Sequence, residues 1–274
     1  MSLPIDLTGK VILICGAGRG GISGATARQA ARAGATLVVL DRDQALLDEV
    51  VEDVTALGGT ISTMVVDLTD EAQIEQVIPR IMAQHGRLDG LANVAGGTRE
   101  EEWIPLDETP TASYRQSLAI GIDYVFMLCR DAARAMIAAG TPGSLVNIGS
   151  ISALAAAPWH GPYGASKAAI SALTRTMANE WYEFGIRANT VSPGGVLTQR
   201  VVNRRQAANV ADDSAVIFTL PEELANTIVF LLSDLANGIS GQTIVVDRSL
   251  STKHCAGTRK SRKQVGDQRL KEAN

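Results

Sequence analysis

The stretch that decides the fold lies near the N-terminus and reads VILICGAGRGGISG over residues 11–24. Its first part, Val11 to Cys15, is continuously apolar, which predicts a buried strand. A glycine-rich turn follows, and Gly21 to Ala33 has the pattern of a helix. Glycines between a strand and a helix let the backbone turn tightly and approach a phosphate group, whose charge then lies at the helix N-terminus. The stretch therefore predicts a strand, turn and helix that bind a dinucleotide.

The same alternation of apolar strands and amphipathic helices continues along the chain. Predicted strands are Val11–Cys15, Thr36–Leu40, Ile61–Val66, Leu88–Asn93, Ser144–Ile148, Arg187–Val191 and Thr243–Val246. Predicted helices are Gly21–Ala33, Gln44–Leu57, Glu71–Gln84, Ser113–Ala139, Pro162–Phe184 and Pro221–Leu232. Apolar strands separated by helices indicate a parallel sheet that is covered on both faces. With right-handed crossovers the pattern predicts an α/β fold, a doubly wound Rossmann-type sheet in a three-layer αβα sandwich.

No repeat and no Pro- or Ser-rich linker divides the chain, so we expect one domain over residues 1–250. The segment from about Gln199 to Leu220 lacks clear periodicity, and an irregular insert of this length in an α/β domain is often a lid. Residues 251–274 form a polar, basic tail that we expect to be disordered. A weak interaction of this tail with an acidic partner stays open.

Composition and charge argue against several classes of protein. The chain has 274 residues, of which 46% are hydrophobic and 20% charged, as in ordinary soluble globular proteins. Its net charge of −4 provides no broad electrostatic surface for nucleic acid. Cys15, Cys129 and Cys255 lack metal-ligand spacing, and no histidine pair suggests a metal. With no signal peptide and no membrane-length apolar run, we expect a cytoplasmic protein without a membrane partner.

Asp41, at the end of the second predicted strand, bears on which dinucleotide binds. A carboxylate there accepts hydrogen bonds from the adenine-ribose hydroxyls and repels a 2′-phosphate. NAD is therefore favoured over NADP as the cofactor. Arg19 and Arg42 lie nearby in sequence and are able to neutralise such a phosphate, so NADP remains the less favoured alternative.

A second group of residues has the chemistry of proton transfer. Tyr163 and Lys167 are spaced i,i+4 and share one face of a predicted helix, and Ser150 follows a predicted strand. A tyrosine has a pKa near 10, and lowering it by about three units requires roughly 4 kcal/mol of stabilisation of the phenolate. A nearby ammonium and a positively charged nicotinamide ring would supply this stabilisation. Ser150 would hold the substrate oxygen against Tyr163.

These motifs, in this order, resemble the short-chain dehydrogenases/reductases from about Lys10 to Asp247. The resemblance rests on the glycine loop, Asp67, Asn93 to Gly96, Asn147 to Ser150, Tyr163 to Lys167, Pro193 to Thr198 and Gly241-Gln242. It implies that Ser150, Tyr163 and Lys167 are catalytic and that Lys167 also holds the nicotinamide ribose. It further implies a homo-oligomer, a dimer or tetramer formed through the alanine-rich helices.

The same resemblance implies the cofactor contacts. Gly16, Gly21 and Ile22 belong to the phosphate turn, and Asp67 with Leu68 borders the adenine. Asn93, Ala95 and Gly96 line the adenosine side. Val196 and Thr198 meet the carboxamide, after the turn at Pro193 and Gly194.

The chain departs from the family pattern at three places. The glycine loop is one residue longer if Ile22 aligns with the family's isoleucine, and Ser23 then replaces the last glycine. Gly121 stands where the family usually has an asparagine that helps to hold a water in a proton relay. Glycine permits the helix interruption but provides no amide, so a water or a backbone carbonyl would have to substitute. Asp247-Arg248-Ser249 replaces a glycine pair after the aspartate, at an end that often lies near a subunit interface.

Four residues are candidates for contact with the substrate: Trp103, Ser152, Trp159 and His160. With the apolar run 153–157 they would wall an apolar pocket. The favoured function is an NAD-dependent oxidoreductase that acts on a secondary alcohol or ketone of a small, mostly apolar molecule. Two alternatives stay open: a 3-oxoacyl reductase acting on carrier-bound chains, and a non-catalytic NAD-binding sensor or interaction protein.

Overall fold

The strands follow the apolar runs of the sequence. Within residues 4–97, 103–207 and 218–252, which this computed structural model describes, they are β1 (Val11–Cys15), β2 (Thr36–Asp41), β3 (Thr60–Val65), β4 (Gly90–Asn93), β5 (Gly143–Ile148), β6 (Ile186–Pro193) and β7 (Thr243–Val246). All pair in parallel in one sheet of order β3-β2-β1-β4-β5-β6-β7. The predicted doubly wound sheet is confirmed. The direction of winding reverses between β1 and β4, and ligands of such sheets bind at that switch point.

The helices of the described residues are α1 (Ile22–Arg32), α2 (Gln44–Ala56), α3 (Glu71–Glu75), α4 (Val77–His85), α5 (Thr111–Leu118), α6 (Tyr124–Ala139), α7 (Gly161–Glu180), α8 (Gln199–Ala207) and α9 (Pro221–Leu232). Buried residues of α1, α2 and α9 pack on one face of the sheet. Those of α3, α4, α6 and α7 pack on the other. The result is the expected three-layer sandwich.

Each central strand contributes to both hydrophobic cores, which explains the apolar residues on both of its faces. In β1, Ile12 and Ile14 belong to the core beneath α1, α2 and α9. Leu13 and Cys15 belong to the opposite core. Successive side chains of a strand point to opposite faces, so a strand covered on both sides is largely apolar, and a polar residue in it needs a hydrogen-bond partner, as Asn147 of β5 has in Thr174.

The structure corrects several predicted boundaries. The helix predicted from Glu71 to Gln84 is divided at Gln76 into α3 and α4. The helix predicted from Ser113 to Ala139 is interrupted by a π-helical turn, Ala119–Asp123, which contains Gly121. The segment expected to be irregular from Gln199 begins with a regular helix, α8. Periodicity was hard to recognise there because α8 buries none of its residues.

Two further predictions fall partly or wholly outside the described residues. The lid predicted over 199–220 includes residues 208–217, which lie outside them, so a lid function stays a prediction. The predicted disordered tail lies outside them from residue 253 onward. Its first two residues form a turn, in which the backbone N–H of Ser251 donates to Asp247 Oδ2 at 2.6 Å.

Candidate active site

A cleft of about 840 Å³ opens at the carboxyl ends of the strands next to the switch point. It is lined by the turns after β1, β2, β3 and β4 and by the N-terminus of α8. Among its lining residues are eleven of the predicted cofactor contacts: Gly16, Arg19, Gly21, Ile22, Asp41, Arg42, Asp67, Leu68, Ala95, Gly96 and Thr198. The turns after four separate strands therefore meet in one place, and that place has the size and lining of a dinucleotide site.

The glycine loop packs closely against the N-terminus of α1, where a phosphate group would bind. Gly16 and Gly18 have φ values of +99° and +136°, a region that favours glycine. A Cβ on Gly24 would overlap the carbonyl oxygen of Gly18, so only glycine at position 24 lets α1 pack against this loop. Ser23 replaces the last glycine of the pattern, and Gly24 beside it allows the close approach. Sequence reasoning missed this role because the packing distance depends on how the longer loop folds.

Asp41 lies where β2 ends and binds the glycine loop directly. Its Oδ2 accepts from the backbone N–H of Ala17 at 2.7 Å, and its Oδ1 accepts from that of Asp43 at 3.1 Å. The carboxylate thus holds the loop in place and lines the cleft at the same time. Each oxygen retains a lone pair that is able to accept a ribose hydroxyl.

Arg19 is engaged by acidic residues of α2. Its guanidinium pairs with Glu52 at 2.8 Å and with Asp53 at 3.0 Å. The hydrogen bond to Glu52 raises the pKa of Arg19 above its ordinary value. A 2′-phosphate would have to compete with two carboxylates for this cation. Arg42, by contrast, is exposed at the edge of the cleft.

The adenine side of the cleft has one residue in an unexpected position. Asp67 lines it, and hydrogen bonds from the backbone and hydroxyl of Thr69 lower the pKa of its carboxyl. Asn93 is absent from the lining. It is buried and donates to Asn147 Oδ1 at 2.8 Å, one layer behind Ala95. Asn93 therefore links β4 to β5. Its position in the interior does not support the predicted direct contact with adenosine.

Ser150, Tyr163 and Lys167 come together beside the cleft. Ser150 lies two residues after β5 and accepts from the backbone N–H of Ser152 at 3.1 Å, which orients its hydroxyl. Tyr163 and Lys167 lie on α7, with Lys167 Nζ 5.7 Å from the centre of the tyrosine ring. A Cβ on Gly96 would stand 3.8 Å from Lys167 Nζ. The lysine head group thus lies at the wall of the nucleotide cleft.

Burial shifts the pKa values of both helix residues towards their neutral forms. It raises the pKa of the Tyr163 phenol, and it outweighs a hydrogen bond with Ser150 and the charge of Arg200, which both lower that pKa. Burial also lowers the pKa of the Lys167 ammonium to about 8. The expected lowering of the phenol pKa is therefore not a property of the chain by itself. It requires the charge that a bound oxidised nicotinamide ring brings.

Gly121 stands in the π-helical turn and faces α7. A Cβ at this position would overlap Ser166 Oγ, so the usual asparagine does not fit against this α7. A backbone carbonyl accepts from the lysine instead: Lys167 Nζ donates to Ile148 O at 2.9 Å. Next to the turn, the buried Tyr124 donates its hydroxyl to Ala95 O at 2.7 Å and thereby supports the wall of the cleft.

The predicted substrate residues form a partly aromatic rim near Tyr163. The rings of Trp103 and His160 stack, with centres 4.4 Å apart, and His160 lies 5.9 Å from the ring of Tyr163. His160 Nδ1 lies 2.9 Å from Pro158 O, which only accepts, so this nitrogen carries a proton. In neutral His160 the other nitrogen, Nε2, then accepts from Ser152 Oγ at 3.2 Å.

Trp159 completes this rim in a strained conformation. Its φ of +71° is unusual for a bulky side chain, and its backbone carbonyl accepts from the N–H of Ile104 at 2.7 Å. The indole is 58% exposed. Strain of this kind is often found at ligand-binding sites.

The segment after β6 reaches the cleft only at its end. Thr198 lines the cleft, whereas Pro193 is buried in β6, and Gly194 and Val196 lie outside the lining. Gln199 packs on Gly20 and donates its backbone N–H to Gly20 O at 3.0 Å. Sequence reasoning missed Gln199 and Arg200 because they fell within the segment expected to be irregular. The signal that could have identified them is that they directly follow Thr198, which was predicted to contact the cofactor.

Other kinds of site were sought in the part of the chain that the structure describes. There, no three His, Cys, Asp or Glu residues are grouped so that they could hold a metal ion. No described helix combines the length and apolarity needed to cross a bilayer.

Known proteins resemble this chain over most of its length. The family model described as enoyl-(acyl carrier protein) reductase matches residues 16–250. The 3-oxoacyl-[acyl-carrier-protein] reductase of Thermotoga maritima is 32% identical over 89% of this chain and 98% of its own. The 2,5-dichloro-2,5-cyclohexadiene-1,4-diol dehydrogenase of Sphingobium indicum is 33% identical over 88% and 97%. A short-chain type dehydrogenase/reductase from Mycobacterium ulcerans superposes with a TM-score of 0.83 at 29% identity, covering 91% and 92%.

The matches and the geometry agree, because the family model covers the glycine loop, the Ser150–Tyr163–Lys167 group and the strands between them. The chain belongs to the short-chain dehydrogenase/reductase family, and it is an oxidoreductase that acts on CH–OH groups with a nicotinamide cofactor.

Proposed function

We propose that this protein oxidises a secondary alcohol, or reduces the matching ketone, of a small molecule with an apolar body, and that NAD is its preferred cofactor. The observation that carries this proposal is the position of Ser150, Tyr163 and Lys167 beside the nucleotide cleft. Lys167 Nζ lies 3.8 Å from a Cβ built on Gly96, so the proton-transfer group and the dinucleotide site share a wall.

The residues of the chain handle the proton of the reaction. A bound oxidised nicotinamide supplies the carbon that accepts a hydride and a positive charge close to the phenol. Ser150 binds the substrate oxygen, and the Tyr163 phenolate takes the hydroxyl proton as the C–H bond breaks. The substrate loses a hydride from carbon and a proton from oxygen, and a C=O bond forms. The Lys167 ammonium, protonated below about pH 8, stabilises the phenolate.

The preference for NAD is supported by the charges at the ribose end of the cleft. Asp41 places a carboxylate there, and Arg19 is already paired with Glu52 and Asp53. A 2′-phosphate would be repelled by Asp41 and would gain little from Arg19. NADP would have to rely on Arg42 alone among these residues.

An apolar substrate body is supported by the rim of Trp103, Trp159 and His160. The indole of Trp103 stacks on His160, whose ring lies 5.9 Å from that of Tyr163, and the indoles of Trp103 and Trp159 are 47% and 58% exposed. The Sphingobium relative is named for a chlorinated cyclic diol, a small ring with secondary hydroxyl groups. A ring or short apolar chain that carries a secondary alcohol fits this rim.

A second candidate is reduction of a 3-oxoacyl group on a carrier protein. The Thermotoga relative, which carries that name, favours it. The net charge of −4 weighs against it, because an acidic carrier requires a basic surface. A non-catalytic NAD-binding role is the remaining alternative, and the intact Ser150, Tyr163 and Lys167 weigh against it.

A homo-oligomer is part of this proposal. It is supported by exposed aromatic side chains on the helices of one layer, Tyr114 on α5 and Phe126 on α6, which are each 45% exposed. Light scattering on the eluting protein would measure its mass, and a monomer at all concentrations would contradict an oligomer. The cytoplasmic location stays a prediction.

The test of the reaction is a screen of cyclic, aromatic and aliphatic secondary alcohols with NAD, followed through the absorbance of NADH. We expect turnover of at least one class and its loss in Tyr163→Phe, with unchanged binding of NAD measured by calorimetry. Tyr182→Phe, at an exposed tyrosine outside the cleft, is the matched control and should be fully active. Undiminished turnover in Tyr163→Phe would exclude the proposed mechanism. Turnover only of acyl groups on a carrier would favour the second candidate.

A further inference from the structure

Arg200 is an exposed cation that faces the catalytic end of the cleft. Its Nη2 lies 3.1 Å from the point where a Cβ on Gly97 would stand. It is near enough to Tyr163 for its charge to lower the pKa of that phenol. The guanidinium therefore lies against the wall formed after β4, and its charge acts on the phenol of Tyr163 on α7.

Arg200 also differs from several other arginines in having no carboxylate partner among the described residues. Arg19, Arg28 and Arg87 each pair with a carboxylate. Among the residues that the structure describes, Arg200 forms no salt bridge. A guanidinium presents a planar fork of N–H donors that matches a carboxylate in two parallel hydrogen bonds. This fork therefore remains available to a ligand in the cleft.

The backbone that carries Arg200 is held in place. Leu197 donates to Thr219 O at 2.9 Å and Gln199 donates to Gly20 O at 3.0 Å. Thr198 Oγ1 accepts from the N–H of Val201 at 3.4 Å, so it caps the start of α8. These bonds fix the position from which the arginine side chain extends over the cleft.

We propose that Arg200 binds a carboxylate of the substrate, so that the substrate is a hydroxy or oxo acid with an apolar body. The inference rests on the proposed function, because it places the acid next to the carbinol that Tyr163 deprotonates. Lys167 does not serve this purpose, since it is buried and donates to Ile148 O.

The position of Arg200 favours the substrate over the cofactor as the source of the anion. The cofactor's pyrophosphate belongs at the glycine loop and the N-terminus of α1. Arg200 lies next to Gly97 in the lining of the cleft, and its charge acts on the phenol of Tyr163, the residue assigned to proton transfer. A carboxylate a few bonds from the reacting carbon would reach the guanidinium while its hydroxyl contacts Ser150 and Tyr163.

The test compares acids with their neutral amides. Mandelate and mandelamide share a ring and a secondary hydroxyl and differ in charge, and kcat/KM with NAD is measured for both. We expect Arg200→Gln to reduce the value for mandelate by about 10- to 100-fold, the range of a charge-assisted pair, and to change that for mandelamide less than threefold. Arg200→Lys should fall between, because it retains the charge and loses the fork. Arg80→Gln, an exposed arginine on α4 outside the cleft, is the control.

A second experiment measures binding alone and therefore does not depend on turnover. Benzoate and benzamide are titrated into the NAD-loaded protein by calorimetry, and only benzoate should lose affinity in Arg200→Gln. Binding of benzoate that depends on Arg200, without turnover of any alcohol, would support the anion site and contradict the proposed reaction. Equal loss for acid and amide together with weaker NAD binding would assign Arg200 to the cofactor and overturn the proposal. So would equal affinity of the unaltered protein for benzoate and benzamide.

Discussion

A Cβ on Gly121 would overlap the hydroxyl of Ser166, the residue directly before Lys167. The π-helical turn between α5 and α6 and the helix α7 therefore pack too closely for a side chain at position 121 unless one of them shifts. Glycine at this position, where the family usually has an asparagine, is what allows this packing. The lysine meets the carbonyl of Ile148 in its place.

Gly121→Ala should destabilise the protein by about 1–3 kcal/mol, the usual effect of overpacking a tight contact. The free energy of unfolding, measured by denaturant titration, checks this. Gly121→Ala combined with Ser166→Gly should lose less than the sum of the two single changes, because the second substitution removes the obstructing side chain. Additive losses would contradict the contact.

Asp41→Asn should weaken the preference for NAD over NADP by about 10- to 100-fold, the range expected for loss of a charged hydrogen-bond acceptor. The amide retains the size of the carboxylate but no longer repels a 2′-phosphate. Dissociation constants for both cofactors measure the effect. Asp48→Asn, on the same helix as the acidic partners of Arg19 and outside the cleft, should leave the preference unchanged. A starting protein that bound NADP more tightly would show that Asp41 has been misassigned.

Gly24→Ala should reduce the affinity for NAD by at least about tenfold, the equivalent of 1.4 kcal/mol. The new methyl group would overlap Gly18 O and push the glycine loop away from α1. Calorimetric titration of NAD measures the loss. The matched control is Gly238→Ala, because a Cβ there meets nothing within 4 Å. Unchanged affinity for NAD in Gly24→Ala would show that the glycine loop accommodates the methyl group, and it would contradict the prediction.

Alcohol oxidation should accelerate as the pH rises from 6 to about 8, above which Lys167 loses the charge that stabilises the phenolate. Burial raises the pKa of Tyr163, so the phenolate that acts as the base is scarce at low pH and increases with pH. Ketone reduction needs the protonated phenol and should decline over the same range. Profiles of kcat/KM in both directions from pH 6 to pH 10 measure this. Arg200→Gln should shift the oxidation profile to higher pH, since the arginine charge lowers the pKa of Tyr163. Flat profiles would indicate that Tyr163 is not the base.

The comparison of sequence and structure shows where local patterns are sufficient. The strands were predicted to within two residues at their ends, because each contains a short run of apolar residues that the sheet buries. α8 was missed because it buries none of its residues and so has no apolar stripe to recognise. Asn93 was assigned to the adenosine side of the cofactor by the family resemblance. Its amide instead points between β4 and β5, a direction that no spacing in the sequence specifies.

By itself the sequence determined the order of the elements and the doubly wound class, and it predicted which residues supply the proton-transfer chemistry. These follow from residue type and short-range spacing, such as the four residues between Tyr163 and Lys167 on one helix. Only the tertiary structure showed that Gly121 packs against Ser166, that Gly24 lets α1 approach its loop, and that the charge of Arg200 acts on Tyr163. Each of these depends on distances between segments far apart in the chain, and those distances are set by how the helices pack on the sheet.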